Sequence, residues 1–87
     1  MTPPGALVME HRIITQADRT EYVRSLRERR AYYDGTGCRF WVFERRDEPG
    51  AFVEFTESRA FDVLASARSS DAQASAAAPI LIEVELS

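Results

Sequence analysis

The chain has 87 residues, a formal net charge of −3, one cysteine and one histidine. That length makes a single domain with a thin core, spanning 1–87, and leaves no room for a second. A lone Cys38 excludes an internal disulfide, and Cys38 with His11 falls short of the close-spaced ligand pairs of a zinc site, so a partner subunit is the expected staple. The acidic balance argues against nucleic acid, which asks for a basic face. No segment approaches the roughly 20 apolar residues of a membrane span and no basic-then-apolar leader opens the chain, so the cytoplasm is the expected location. All 11 basic residues are arginine, and lysine and asparagine are absent. With the many alanines, that bias points to a GC-rich bacterial source.

Residues 1–5, with Pro3, Pro4 and Gly5, read as a loose arm. A first strand is expected over about Ala6 to Ile14, with apolar residues in both alternating sets. No turn sets its register, so the face that holds His11 is open. A helix follows, capped by Thr15 or by Asp18, the latter with Glu21 at capping-box spacing. Tyr22, Val23, Leu26 and Tyr33 form its buried stripe, and Gly35 and Gly37 end it. The arginines at 24, 27, 29 and 30 read as a solvated face, partly neutralised by Glu21 and Glu28.

Cys38–Arg46 and Ala51–Glu57 read as a hairpin across the turn Asp47-Glu48-Pro49-Gly50. A four-residue turn pairs Arg46 with Ala51, Phe43 with Glu54 and Trp41 with Thr56. One face then carries Phe40, Val42, Glu44, Val53 and Phe55. The other carries Arg39, Trp41, Phe43, Arg45, Phe52, Glu54 and Thr56. Ser58 is expected to cap a second helix with Phe61, Leu64 and Ala65 as its stripe. Residues 69–78 are rich in alanine and serine and fit helix or loop equally. Pro79 opens a last strand, Ile80 to Leu86.

The order β-α-β-β-α-β is the ferredoxin-like α+β plan: a four-stranded antiparallel sheet with right-handed crossovers that place both helices on one face. The opposite face is also apolar, and an exposed apolar sheet needs a cover. A second copy laid sheet against sheet is the expected cover, giving a homodimer.

The order of elements resembles the dimeric α+β barrel superfamily, in particular domains similar to antibiotic-biosynthesis monooxygenases. The run Gly37-Cys38-Arg39-Phe40-Trp41-Val42-Phe43-Glu44, the Pro49-Gly50 turn and Phe52-Val53-Glu54-Phe55-Thr56-Glu57-Ser58 carry the likeness. The resemblance implies a dimeric barrel acting on aromatic substrates or haem without a dedicated flavin or metal, so no cofactor is expected. Members with oxygenase or haem-degrading activity use an asparagine, and this chain has none. The haem-degrading members also use a histidine on the second helix, whereas His11 falls on the first strand. Trp41 lies on a different strand from their tryptophan. Fold and dimerisation carry over; no catalytic residue does.

The candidate ligand-binding group is His11, Arg39, Trp41, Phe43, Phe52 and Glu54. Aromatic walls with a few placed polar groups line ligand pockets. They also make dimer interfaces, where Trp, Tyr and Arg are enriched. A buried Glu54 needs a partner, and Arg39, Arg45 or His11 could supply it. Cys38 reads as a small buried hydrophobe, and Tyr22, Tyr32 and Tyr33 as core residues with hydroxyls at the edge. The expected function is a non-catalytic or ligand-binding dimeric module for a small aromatic or amphipathic molecule. The alternative is a cofactor-independent monooxygenase-like enzyme with His11 or Glu54 as base. A cavity holding both would favour the enzyme, and a filled core the module.

Overall fold

The computed structural model describes residues 4–86. Its elements are β1 (Ala6–Ile13), a 3-10 turn (Gln16–Asp18), α1 (Arg19–Asp34), β2 (Arg39–Glu44), β3 (Ala51–Ser58), α2 (Phe61–Ser69) and β4 (Ile80–Ile82). The strands form one antiparallel sheet in the order β2-β3-β1-β4. This is the ferredoxin-like α+β arrangement that the element order predicts. Residues 1–3 of the expected arm lie outside the described residues. Gly5 is buried and held at both backbone groups: its N–H donates to Glu83 Oε1 and its carbonyl accepts from the Glu83 N–H.

Ala6, Val8, Tyr33, Cys38, Phe40, Leu64 and Ala67 form the core between the sheet and the two helices. Leu26, Val42, Val63, Ala78 and Ile80 pack against its rim. Cys38 is a buried free thiol, as the small-hydrophobe reading expects. Alternation on each strand divides the sheet into two faces. Val8, Glu10, Phe40, Phe52, Glu54 and Thr56 are buried and lie on the helix side. Leu7, Met9, His11, Trp41, Phe43, Val53, Phe55 and Leu81 lie on the other side and are partly or fully exposed.

The hairpin departs from the predicted register by one residue. Trp41 pairs with Phe55, Val42 with Glu54 and Phe43 with Val53. The cause is loop length. The Arg45 N–H donates to the Ala51 carbonyl, so the connection spans residues 46–50 and not 47–50. Gly50 sits at φ +94°, a conformation that costs glycine little. An ideal Cβ there would lie 2.7 Å from the Ile14 carbonyl oxygen. One extra loop residue transfers every β3 side chain to the opposite face relative to β2. Phe52 and Glu54 therefore leave the group of Trp41 and Phe43 and join Phe40 under the helices.

The helix starts also differ from the predicted caps. Asp18 makes no side-chain cap; its carboxylate accepts from the Thr15 hydroxyl at 2.9 Å, which closes the 3-10 turn. Ser58 Oγ accepts from the Ala60 N–H, one turn before α2, and Ala60 occupies the cap position. On α2 Leu64 and Ala67 are the buried residues, and Phe61 is 53% exposed. Residues 70–79 form a strap of successive turns. The last strand is shorter than expected: pairing ends at Ile82, and Val84 and Leu86 are 72% and 91% exposed.

Candidate functional site: a closed ion network and an open aromatic face

The register places Glu10 directly opposite Glu54 on the helix side of the sheet. Two buried carboxylates side by side repel and must be compensated. Arg12 bridges them, with Nη2 donating to Glu10 Oε2 at 2.6 Å and Nε 2.8 Å from Glu54 Oε2. Tyr22 on α1 donates its hydroxyl to Glu54 Oε2 at 2.7 Å, and Arg29 Nη1 donates to Glu54 Oε1 at 3.0 Å. Arg29 continues to the strap: its Nε donates to Asp71 Oδ2 at 3.1 Å, where the Tyr33 hydroxyl also donates at 2.6 Å. The Arg29 guanidinium lies 4.8 Å from the Phe40 ring centroid, a cation–π contact. Glu10 Oε1 accepts from Arg68 Nη2 at 2.7 Å and from the Ser75 N–H at 2.6 Å. Arg12 Nη2 also donates to the Gln73 carbonyl.

The network thus ties β1, β3, α1, α2 and the strap into one cluster in which arginine charge matches carboxylate charge. Arg12 Nε and Arg29 Nη2 are close to carboxylates but poorly aligned for a directed hydrogen bond. Burial is the largest influence on Glu10 and pushes its pKa up. The Arg68 hydrogen bond, the Ser75 N–H and the charges of Arg68 and Arg12 outweigh it and hold Glu10 below its usual range. Asp71 follows the same pattern: burial raises it, and the Tyr33 hydroxyl, the Gln73 N–H and Arg29 together bring it down. Burial, reinforced by the hydrogen bonds to Glu54 and Asp71, pushes the Tyr22 and Tyr33 phenols above their ordinary range.

Arg29 corrects the reading of the helix arginines as one solvated face: it is 5% exposed, while Arg24, Arg27 and Arg30 are exposed. The signal was present in the spacing. Residues 22, 26, 29 and 33 follow the i, i+4, i+7, i+11 rhythm of a single helix face, so Arg29 falls inside the Tyr22–Leu26–Tyr33 stripe. Neither Arg39 nor Arg45 reaches Glu54. Arg39 lies over Trp41 at 4.4 Å, and Arg45 pairs with Asp47 at 2.7 Å.

The open face holds the remaining candidates. Trp41 stacks on its cross-strand partner Phe55 with centroids 5.3 Å apart, and Phe43 meets Phe55 edge-on at 5.8 Å. His11 pairs with Val53, which pairs with Phe43, so His11, Trp41 and Phe43 share this face. Glu54 is on the opposite face. His11 and Glu54 are therefore separated by the sheet and cannot serve one reaction centre. The structure brings together His11, Arg39, Trp41 and Phe43, and removes Phe52 and Glu54 to the interior. Phe52 there packs against Tyr22 at 4.8 Å and under the Arg19 guanidinium at 5.4 Å.

A cleft of about 280 Å³ runs along the edge strand β2 beneath α1, lined by Val23, Leu26, Arg27, Arg30, Phe40, Trp41 and Val42. No helix among the described residues is long and apolar enough to cross a membrane. Among the described residues, no cluster of His, Cys, Asp and Glu has the make-up to hold a metal ion.

No protein-family model matches the chain, and no curated protein matches its sequence. The fold does have a solved counterpart. The structure of Rv0793 from Mycobacterium tuberculosis superposes with a TM-score of 0.68 over 97% of this chain and 96% of that one, at 19% sequence identity. At that identity the likeness establishes the fold alone: this chain is a ferredoxin-like α+β domain similar in architecture to Rv0793.

Proposed function

We propose that the protein is a homodimeric binding module of the dimeric α+β barrel type, with the open sheet face as its working surface. One observation carries this reading. The space between sheet and helices, where a ligand could be enclosed within one copy, is filled by the network around Glu54, Arg29 and Asp71. The aromatic surface lies on the other side. Met9, Phe43 and Leu81 are 37%, 60% and 45% exposed there, with Trp41 and Phe55 stacked at the centre. Polar side chains on that face lie at its margins, Arg39 and Glu57 in one row and His11 at the other end. An apolar centre with a polar rim is how protein interfaces are built. A self-complementary sheet face suits a two-fold partner, and a small aromatic or amphipathic molecule would lie between the two sheets against Trp41 and Phe43.

The enzyme reading, a cofactor-independent oxygenase, has one feature in its favour: His11 shares the face with Trp41. It lacks a second acid–base group beside His11: Glu57 shares the face but stands two rows away, opposite Leu7, and Glu54 is committed to Tyr22 and Arg29 on the other face. The binding module is therefore the better account.

Trp41 is the sole tryptophan; it stacks on this face and also lines the β2 cleft, so its fluorescence reports on that part of the surface. The emission should shift to the blue as protomer concentration rises through the dimer transition, in step with mass measured by sedimentation. Native mass spectrometry of gently purified protein should show a dimer, with or without added small-molecule mass. A monomer at tens of micromolar with unshifted Trp41 emission would refute the module.

A further inference from the structure

His11 is the only histidine of the chain, and the strand register sets it on the open sheet face. Histidine is the one side chain whose ordinary titration falls between pH 5 and 8. Arginine and carboxylate side chains ordinarily change charge outside that range. The open face therefore holds a single group able to change charge near neutrality.

The surroundings of His11 are apolar. Val53 on β3 and Phe43 on β2 stand in its row. Along its own strand the same face carries Met9 and Ile13, which are 37% and 76% exposed. Its chain neighbours Glu10 and Arg12 lie on the opposite side of the sheet, inside the ion network. β4 ends its pairing at Val8 and does not reach the row. The charged residues that share the face are Arg39 and Glu57, two rows away. Arg45, just past the end of β2, is held by Asp47 and Glu48. His11 itself is exposed and makes no hydrogen bond or ion pair among the described residues.

The charges of Arg39 and Glu57 cancel. With His11 neutral the face carries no net charge, so two copies of it meet without repulsion. Protonation adds one positive charge to each face, and two-fold symmetry adds it to both at once. A closed dimer would then hold two imidazolium groups against apolar side chains, at a desolvation cost that a separate protomer avoids by keeping His11 in water.

We infer that His11 is an acid release for the face-to-face dimer: the neutral imidazole is buried between the sheets, and its protonation separates the dimer into folded protomers. This rests on the proposed dimer, and the test distinguishes the two. The dimer binds fewer protons than two free protomers, so association is favoured above the imidazole range and lost as pH falls through it. With one proton taken up per protomer, the dissociation constant changes by up to about a hundredfold per pH unit at its steepest.

Sedimentation equilibrium at pH 7.5 and 5.5, with circular dichroism at both, tests the inference. Glu10 and Asp71 are held below 4.5 and 3.8, so the interior network keeps its charge across this window. The dissociation constant should rise at least about tenfold at the lower pH with the far-ultraviolet spectrum unchanged, and that rise should vanish in His11→Gln. A dimer with the same dissociation constant at both pH values would overturn the release and leave the dimer standing. A rise that persists in His11→Gln would overturn His11 as its cause. A spectrum lost at pH 5.5 would overturn release of a folded protomer. A monomer at both pH values would overturn the dimer and the release together.

Discussion

Replacing Arg29 by methionine should nearly unfold the protein, although Arg29 lies among arginines whose loss would go unnoticed. The side chain is 6% exposed and meets two carboxylates, Glu54 at 3.0 Å and Asp71 at 3.1 Å, which are themselves 2% and 5% exposed. Methionine keeps the length of the stem and its contact with Phe40 but leaves both carboxylates without their shared cation. Removing one partner of a buried pair typically costs about 3–5 kcal/mol, because the remaining charge stays buried. Domains of this size are stable by about 5–15 kcal/mol in total, so roughly a fifth to all of the margin would go. At roughly 4–8 °C per kcal/mol, the melting temperature should fall by about 12–40 °C. Arg30→Met, one position along and exposed, should change stability by less than about 0.5 kcal/mol. Urea unfolding followed by circular dichroism, at one fixed protomer concentration, measures both. The pairing logic predicts a further result: Glu54→Leu added to Arg29→Met should recover part of the loss, since fewer buried charges then lack a partner. An Arg29→Met protein within about 1 kcal/mol of the parent would refute the claim that the network holds the interior together.

Acid should loosen the same network. Glu10 and Asp71 have folded pKa values below their ordinary 4.5 and 3.8, so their stabilising effect is fully present above those values and is lost as pH falls through the lower folded ones. The melting temperature should therefore hold from pH 7 to about 5 and drop below about 4, and Glu10→Gln should flatten part of that drop. Phe43→Asp, on the open face, should give a monomer at micromolar concentration with an unchanged far-ultraviolet spectrum; a dimer of parental affinity would show that this face is not the interface. Gly50→Ala forces a Cβ to 2.7 Å from the Ile14 carbonyl at a positive φ, and should cost about 1–3 kcal/mol in a denaturant melt. Glu44→Gln should leave the denaturant midpoint nearly unchanged, even though the Arg19 hydrogen bonds and the Gly50 N–H lower Glu44 to about 2, because solvent screens the exposed pair.

Element order, the antiparallel strand order and the apolar character of the open sheet face were legible from periodicity and turn chemistry. The hairpin register was not. β3 reads Phe52-Val53-Glu54-Phe55, with an aromatic in each alternating set, so hydrophobic pattern alone cannot choose between a four- and a five-residue loop. The deciding feature is the fit of Gly50 against the Ile14 carbonyl, a contact between segments far apart in sequence. Arg29 could have been assigned to the buried stripe from its spacing, but its charge hides it until Glu54 is known to face α1. Those two errors share one cause: with Glu54 on the wrong face, nothing asks for a cation beneath the helix. The short β4 has a different origin. The Ile80–Leu86 alternation is real, but no neighbour within one copy pairs with its second half.

The two faces divide the usual roles in an unexpected way. The face covered by the chain's own helices carries the buried charges, and the face with no cover carries the stacked aromatics. Closing a polar network costs desolvation that good pairing only offsets, so the interior contributes less net stability than an apolar core of equal size. A thin core with charged groups at its centre is a poor basis for a free-standing monomer of this length. Burying Met9, Trp41, Phe43, Phe55 and Leu81 against a second copy would supply apolar area that the interior does not. The stability of the fold and the formation of the dimer should then be coupled, and the unfolding midpoint should rise with protomer concentration. A midpoint independent of concentration in a protein shown to be dimeric would mean that the ion network and its small apolar core suffice alone.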